Sequence, residues 1–195
     1  MRLFTPRFIK DILIIAVFVV GWYFLVNNPI THPVPEEAVG LWSIQLMQQP
    51  LVFGIAGHNF LTLRNQKNTI VGELHGLATN AKTGAWKYIG NDSTDKLQVW
   101  HFKSSHEYIT QKNYAGIVLF KGTKDEATML WNKALDCKEK INAQKLLYPP
   151  YGVKVNGDTE NSNSVAYTLT LCMNLDAEHI GLITPGWGKN LLGND

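Results

Sequence analysis

Gly57-His58-Asn59-Phe60-Leu61-Thr62-Leu63 and, after a short polar turn, Thr69-Ile70-Val71-Gly72-Glu73-Leu74-His75 are two alternating runs. Apolar and polar residues that alternate on both sides of a turn predict a β-hairpin. Whether the turn is Gln66-Lys67 or the four residues Asn65 to Asn68, its centre is the same. Arg64 then opposes Thr69 and, counting back, His58 opposes His75. Directly opposed residues hold their Cβ atoms about 4.5–5.5 Å apart on one face of a sheet. The hairpin therefore predicts two adjacent histidines, with Phe60, Thr62, Val71 and Glu73 beside them as the wall of a cleft. Leu61, Leu63, Ile70 and Leu74 take the other, core face. A single bulge would undo this register.

Working outward, Trp42, Ile44 and Leu46 alternate with Ser43, Gln45 and Met47 and predict a preceding strand. Leu97, Val99 and His101 alternate with Gln98, Trp100 and Phe102 and predict a later one, beyond a polar, turn-rich stretch from Ala78 to Asp95. Gly116 to Phe120 reads as a short buried strand. From about Lys124 to Lys145, Leu130, Ala134, Cys137 and Ile141 recur at three- and four-residue steps, which predicts a helix. Tyr148-Pro149-Pro150-Tyr151-Gly152 stops it. A second helix starts at Asn161-Ser162-Asn163-Ser164, residue types that cap helices, and runs to about Asn174. The sum is an α+β domain over residues 41–195, an antiparallel sheet of four to five strands packed on two main helices.

Composition bounds the function. With 195 residues, 45% apolar and 17% charged, there is room for one domain and a tail. The net charge is +2 and the basic residues are scattered, which is not the footprint of a nucleic-acid binder. No repeat, Walker loop or Gly-x-Gly-x-x-Gly string is present, and no cofactor is expected. Cys137 and Cys172 lie on the core faces of the two helices. They are either a disulfide joining the helices or two reduced core thiols. A metal on His58 and His75 would need a third ligand from Glu73, His101 or His106, and no tight ligand spacing calls for one.

Ile12 to Val26 is an uninterrupted apolar run preceded by Arg2, Arg7 and Lys10. A spanning helix needs roughly 20 residues, and Phe8 and Ile9 lengthen the run toward that. The residues after Val26 lack the small-x-small pattern of a cleaved signal peptide. The expectation is an uncleaved signal anchor: a cytoplasmic stub and transmembrane helix in 1–27, in contact with the lipid bilayer through residues 8–27. A Pro-rich spacer follows in 28–40. The chain is then a single-pass membrane protein with its N-terminus cytoplasmic and its C-terminal domain periplasmic or extracellular.

The residues that could carry chemistry are Ser162 at a helix start, His58 as a base and His75 as the group that orients it, with Glu73 two residues away on the same face. A serine hydroxyl needs a base to accept its proton, and that base needs a third group to hold it. Backbone N–H groups at the helix start add potential support for an oxyanion.

In this order, Gly57-His58-Asn59-Phe60-Leu61, Glu73-Leu74-His75-Gly76 and Asn161-Ser162-Asn163-Ser164-Val165 resemble the circularly permuted papain-like superfamily that contains the lecithin–retinol acyltransferase-like proteins. The resemblance spans roughly Trp42 to Leu175 and departs at the nucleophile, where Ser162 stands in place of the usual cysteine. It implies a hydrolase or acyltransferase acting on an amide or ester bond through an acyl-enzyme on Ser162. His58 would be the base, His75 its orienter, and Asn161 and Glu73 would support the substrate or oxyanion. Substrates in reach would be cell-wall peptides, glycans, or acylated lipids and proteins. The alternative is a catalytically inactive member that binds a peptide, a glycan or a partner membrane protein in the same cleft.

Overall fold

A computed structural model describes residues 40–51, 56–103, 114–154, 159–176, 178 and 180–193. They build an antiparallel sheet of six strands with two helices on it, an α+β architecture. The strands are β1 (Trp42–Leu51), β2 (Ala56–Arg64), β3 (Ile70–Thr79), β4 (Trp86–Lys87), β5 (Lys96–Phe102) and β6 (Ala115–Gly122). The helices are α1 (Lys124–Ala143) and α2 (Ser162–Cys172). The two-residue β4 takes the count beyond the four to five strands expected. It lies in the stretch read as turns, where two residues carry too little pattern to be seen.

The sheet runs β6-β1-β2-β3, with β5 on the far edge of β3. Alternation sorts its residues into two faces. Ile44, Leu46, Leu61, Leu63, Leu74, Ala78, Leu97 and Val99 point to the helices and form the main core. Ala127, Trp131, Ala134, Cys137 and Ile141 meet them from α1, a stripe of three- and four-residue steps. Thr123 caps α1, with Glu126 reaching back to close a capping box. A disulfide between Cys137 and Cys172, Cα atoms 6.5 Å apart, ties α1 to α2 and decides between the two readings of these cysteines.

The hairpin register differs from the one counted from the turn. Leu61 pairs Leu74 and Thr62 pairs Glu73, so Phe60, not His58, is level with His75. The shift is two residues: at the turn Arg64 pairs Ile70 and not Thr69, and a bulge adds one more, because Leu63 then pairs Gly72 and leaves Val71 as the extra residue. Beyond Leu61 and Leu74 the strands part. β4 takes the edge of β3 at Ala78 and Thr79, and Ile183 takes the edge of β2 at Ala56. The start of α2 fills the wedge between them. An ideal Cβ on Gly76 would lie 2.9 Å from the Ser162 Cα and 2.7 Å from the Val165 Cβ. Only a glycine at this point of β3 lets the helix approach so closely.

The expected single-pass membrane topology, with its periplasmic or extracellular domain, is corrected here. Among the described residues no helix is long and apolar enough to cross a membrane. α1 has the length but is charged along its exposed side, and α2 has only 11 residues. The predicted anchor and nearly all of the predicted spacer, 1–39, lie outside the described residues.

Candidate functional site

Three of the predicted residues form a hydrogen-bonded chain. The His58 Nε2 lies 3.0 Å from His75 Nδ1, and the His75 Nε2 lies 3.1 Å from Glu73 Oε2. A carboxylate can only accept, so His75 donates from Nε2 and accepts at Nδ1. His58 must then donate from Nε2, which leaves its Nδ1 as a lone pair. That nitrogen is buried and has no hydrogen-bond partner among the described residues. Arg64, on the same face, adds an attractive positive charge for Glu73.

The chain is reached by a diagonal contact rather than a direct pair, because the register is shifted by two. Phe60 lies against both histidines. Its ring stacks on His75 at 4.3 Å and lies nearly parallel to His58 at 5.8 Å. Phe102 meets His75 edge-on, and Tyr114 meets Phe60 edge-on. The surroundings are therefore aromatic and closed. His58 is 1% exposed and His75, Glu73, Phe60 and Thr62 are at 0%. The cleft wall expected from the mixed sequence of this face is instead a buried layer.

Burial sets the charge states. Desolvation pushes the His58 imidazole well below its ordinary value, with repulsion from His75 adding to it. Desolvation also lowers His75, although the Glu73 hydrogen bond and charge pull it back up. Both rings are thus held neutral, which the tautomer chain requires. The Tyr88 and Tyr114 phenols are raised, first by burial, with the Glu73 charge contributing to each.

Ser162 lies elsewhere. Gly76 and Leu74 face the helices, so His75 between them faces away, and α2 packs on the side opposite the histidine chain. Ser162 is buried, with its side chain beside the Tyr148 phenol. Burial drives that phenol up to about 12, with the Ser162 bond pulling the other way. Asn161 does shape the turn, as expected. Its Oδ1 accepts from the N–H groups of Asn163 and Ser164, while Ser164 Oγ accepts the Asn161 N–H. This capping box occupies two of the N–H groups that an oxyanion would have needed. The structure thus brings together His58, His75 and Glu73, and separately Ser162 and Asn161.

Several participants escaped the sequence reading. Tyr148 was read only as part of a helix stop, yet its phenol lies beside Ser162. Asn163 sends Oδ1 into the wedge to accept the Asn59 N–H at 2.9 Å. Gln48 donates to Asn59 Oδ1 and to the Ile180 carbonyl. Buried amides on adjacent strands are the signal that could have marked this network. Among the described residues no group of three or more His, Cys, Asp or Glu could hold a metal ion. His101 faces α1, its ring against Trp131, and His106 lies outside the described residues.

A separate groove of about 520 Å³ opens at the cap of α2. It is lined by Val153, Lys154 and Thr159 on one side and by the run Pro185 to Lys189, including Trp187, on the other. Comparison with known proteins places no relative beside these features: no family model, curated protein or solved structure matches the chain.

Proposed function

We propose that this chain is a non-catalytic binding module, built on the permuted papain-like plan with its nucleophile position silenced. The observation that carries the reading is the placement of Ser162, which is buried at the cap of α2, packed on Gly76 and beside Tyr148. A nucleophile must meet its base within hydrogen-bond reach, roughly 2.6–3.2 Å. Ser162 instead packs on Gly76, the glycine next to His75 that faces the helices, and its cap has occupied the neighbouring N–H groups. The histidine chain then serves to hold both rings and the Glu73 carboxylate in place within an aromatic layer.

A second reading keeps the chain as a hydrolase or acyltransferase of amide or ester bonds. The observation in its favour is the His58 Nδ1 lone pair, backed by His75 and Glu73 and without a partner among the described residues. Intact-mass measurement of the full chain after treatment with a fluorophosphonate separates the two. The binding module predicts no adduct. A single adduct that vanishes in Ser162→Ala would overturn it in favour of the acyl-enzyme.

A further inference from the structure

The groove at the cap of α2 has a chemistry of its own. Lys154 Nζ donates to Glu160 Oε2 at 2.8 Å, and Lys189 Nζ donates to Glu160 Oε1 at 3.0 Å. Two ammonium groups from opposite walls thus converge on one carboxylate and leave a surplus of one positive charge. Each ammonium has three donors, so neither is exhausted by this bond. Lys154 and Lys189 line the groove, and Glu160 is not part of its lining. Burial alone would raise the Glu160 acid, but the two lysine bonds outweigh it and hold the carboxyl below its ordinary value.

Described residues tie the two sides of the groove together. The Asn161 side-chain amide donates to the Gly152 carbonyl at 2.7 Å and to the Pro185 carbonyl at 2.9 Å, pinning both sides of the groove to one residue. A Cβ on Gly186 would stand 2.6 Å from the Thr159 carbonyl oxygen, so the two walls touch at their base. Next to Val153, Tyr151 is held at φ 58° and is 76% exposed. A non-glycine residue kept in that region stores strain, which persists only where the surroundings enforce it. Trp187 supplies a flat apolar surface, braced edge-on by Tyr167. The volume lies within the roughly 300–1,000 Å³ of small-molecule sites, and fixed walls reduce the cost of binding.

We propose that this groove binds a small ligand bearing a carboxylate or phosphate on a flat apolar body, the anion meeting Lys154 and Lys189 and the body lying on Trp187. The inference rests on the reading of the chain as a binding module and gives that module its site. It is tested on the ¹⁵N-labelled full chain by titration with 2-naphthoate, 2-naphthyl phosphate and neutral 2-naphthamide. The Trp187 indole resonance, identified by its loss in W187F, is followed. A saturable shift with at least one of the anions and none with the amide is expected. K154Q and K189Q should each weaken binding about tenfold, the scale of one charge-assisted hydrogen bond. E160Q should strengthen it several-fold, because it removes a competing negative charge from the surface without touching the core.

Absence of a saturable Trp187 shift with either anion would overturn the proposal. So would equal binding of the amide, or affinities unmoved by all three substitutions. If fluorophosphonate still leaves Ser162 unlabelled, such a failure removes the groove and not the binding module. An adduct at Ser162 would instead remove the module while the titration judged the groove on its own.

Discussion

Acidification from pH 7.5 to 5.5 should destabilise this protein through His58 and His75. In the unfolded chain each imidazole titrates near 6.5. In the native state both are lowered by desolvation, His58 further by His75, and His75 in spite of Glu73. The unfolded state therefore binds more protons below about pH 6.5, and stability falls as the pH falls. Each histidine held neutral in the folded state contributes to this loss, His58 more than His75 because Glu73 opposes the shift of His75. Asp92, Glu126 and Glu160 have lowered carboxyls. They contribute stability above their unfolded values, near 4, and lose it only further down. The window is thus left to the histidines. Urea unfolding of the full chain at pH 7.5, 6.5 and 5.5 measures it, with His58→Gln alongside. The wild type should lose stability steadily from pH 7.5 to 5.5, and the variant clearly less. A flat profile, or the same slope in His58→Gln, would refute the account of a neutral, buried histidine chain.

The packing and capping contacts give further expectations. Gly76→Ala should cost about 1–3 kcal/mol by overpacking against Val165 and the Ser162 backbone, read as a lower urea midpoint with an unchanged slope. Ser162→Ala and Tyr148→Phe should each destabilise, and their double-mutant cycle should return a coupling of about 1 kcal/mol; zero coupling would remove the bond between them. Asn161→Ala should cost about 2 kcal/mol or more, since the residue caps α2 and holds both Gly152 and Pro185. It should also weaken anion binding in the groove, seen in the same naphthoate titration. Replacing both Cys137 and Cys172 by Ala should cost about 4 kcal/mol by the loop-entropy relation, for a bridge with a sequence separation of 35, measured by chemical denaturation.

How much of this was legible depends on the range of the signal. The principal elements follow from local pattern. The period-two runs of β1, β2, β3 and β5 and the three- and four-residue steps of α1 repeat over enough residues to declare themselves. The Asn161 cap was equally local, because Asn at a helix start bonds its own N–H groups within three residues. The register was not local. It was counted from the turn, and one residue at the turn plus the extra residue Val71 shifted it by two, which leaves the alternation unchanged. Parity survived a shift of two, so His58, Phe60, Thr62, Glu73 and His75 were correctly placed on one face. The claim that failed was that this face is a cleft, because a mixed sequence of rings and polar groups suits a buried hydrogen-bonded layer equally well.

The side of the sheet on which α2 packs could have been argued from the glycines. A helix axis rides about 10 Å above a sheet, and it comes closer only where a strand presents no side chain. In β3 the residues without side chains are Gly72 and Gly76, spaced by the strand period and in phase with Leu74. A Cβ at Gly72 would meet Trp131 of α1 at 3.3 Å, and one at Gly76 would meet Val165 of α2 at 2.7 Å. The glycines thus mark the face that receives both helices, and Glu73 and His75 lie on the other by alternation alone. A serine heading α2 is thereby directed to the Leu74 face, toward Tyr148, and away from the His75 ring. The pairing of Ser162 with His58 asked a residue of the helix layer to meet one that alternation turns to the opposite face, and the glycine phase of β3 argues against it.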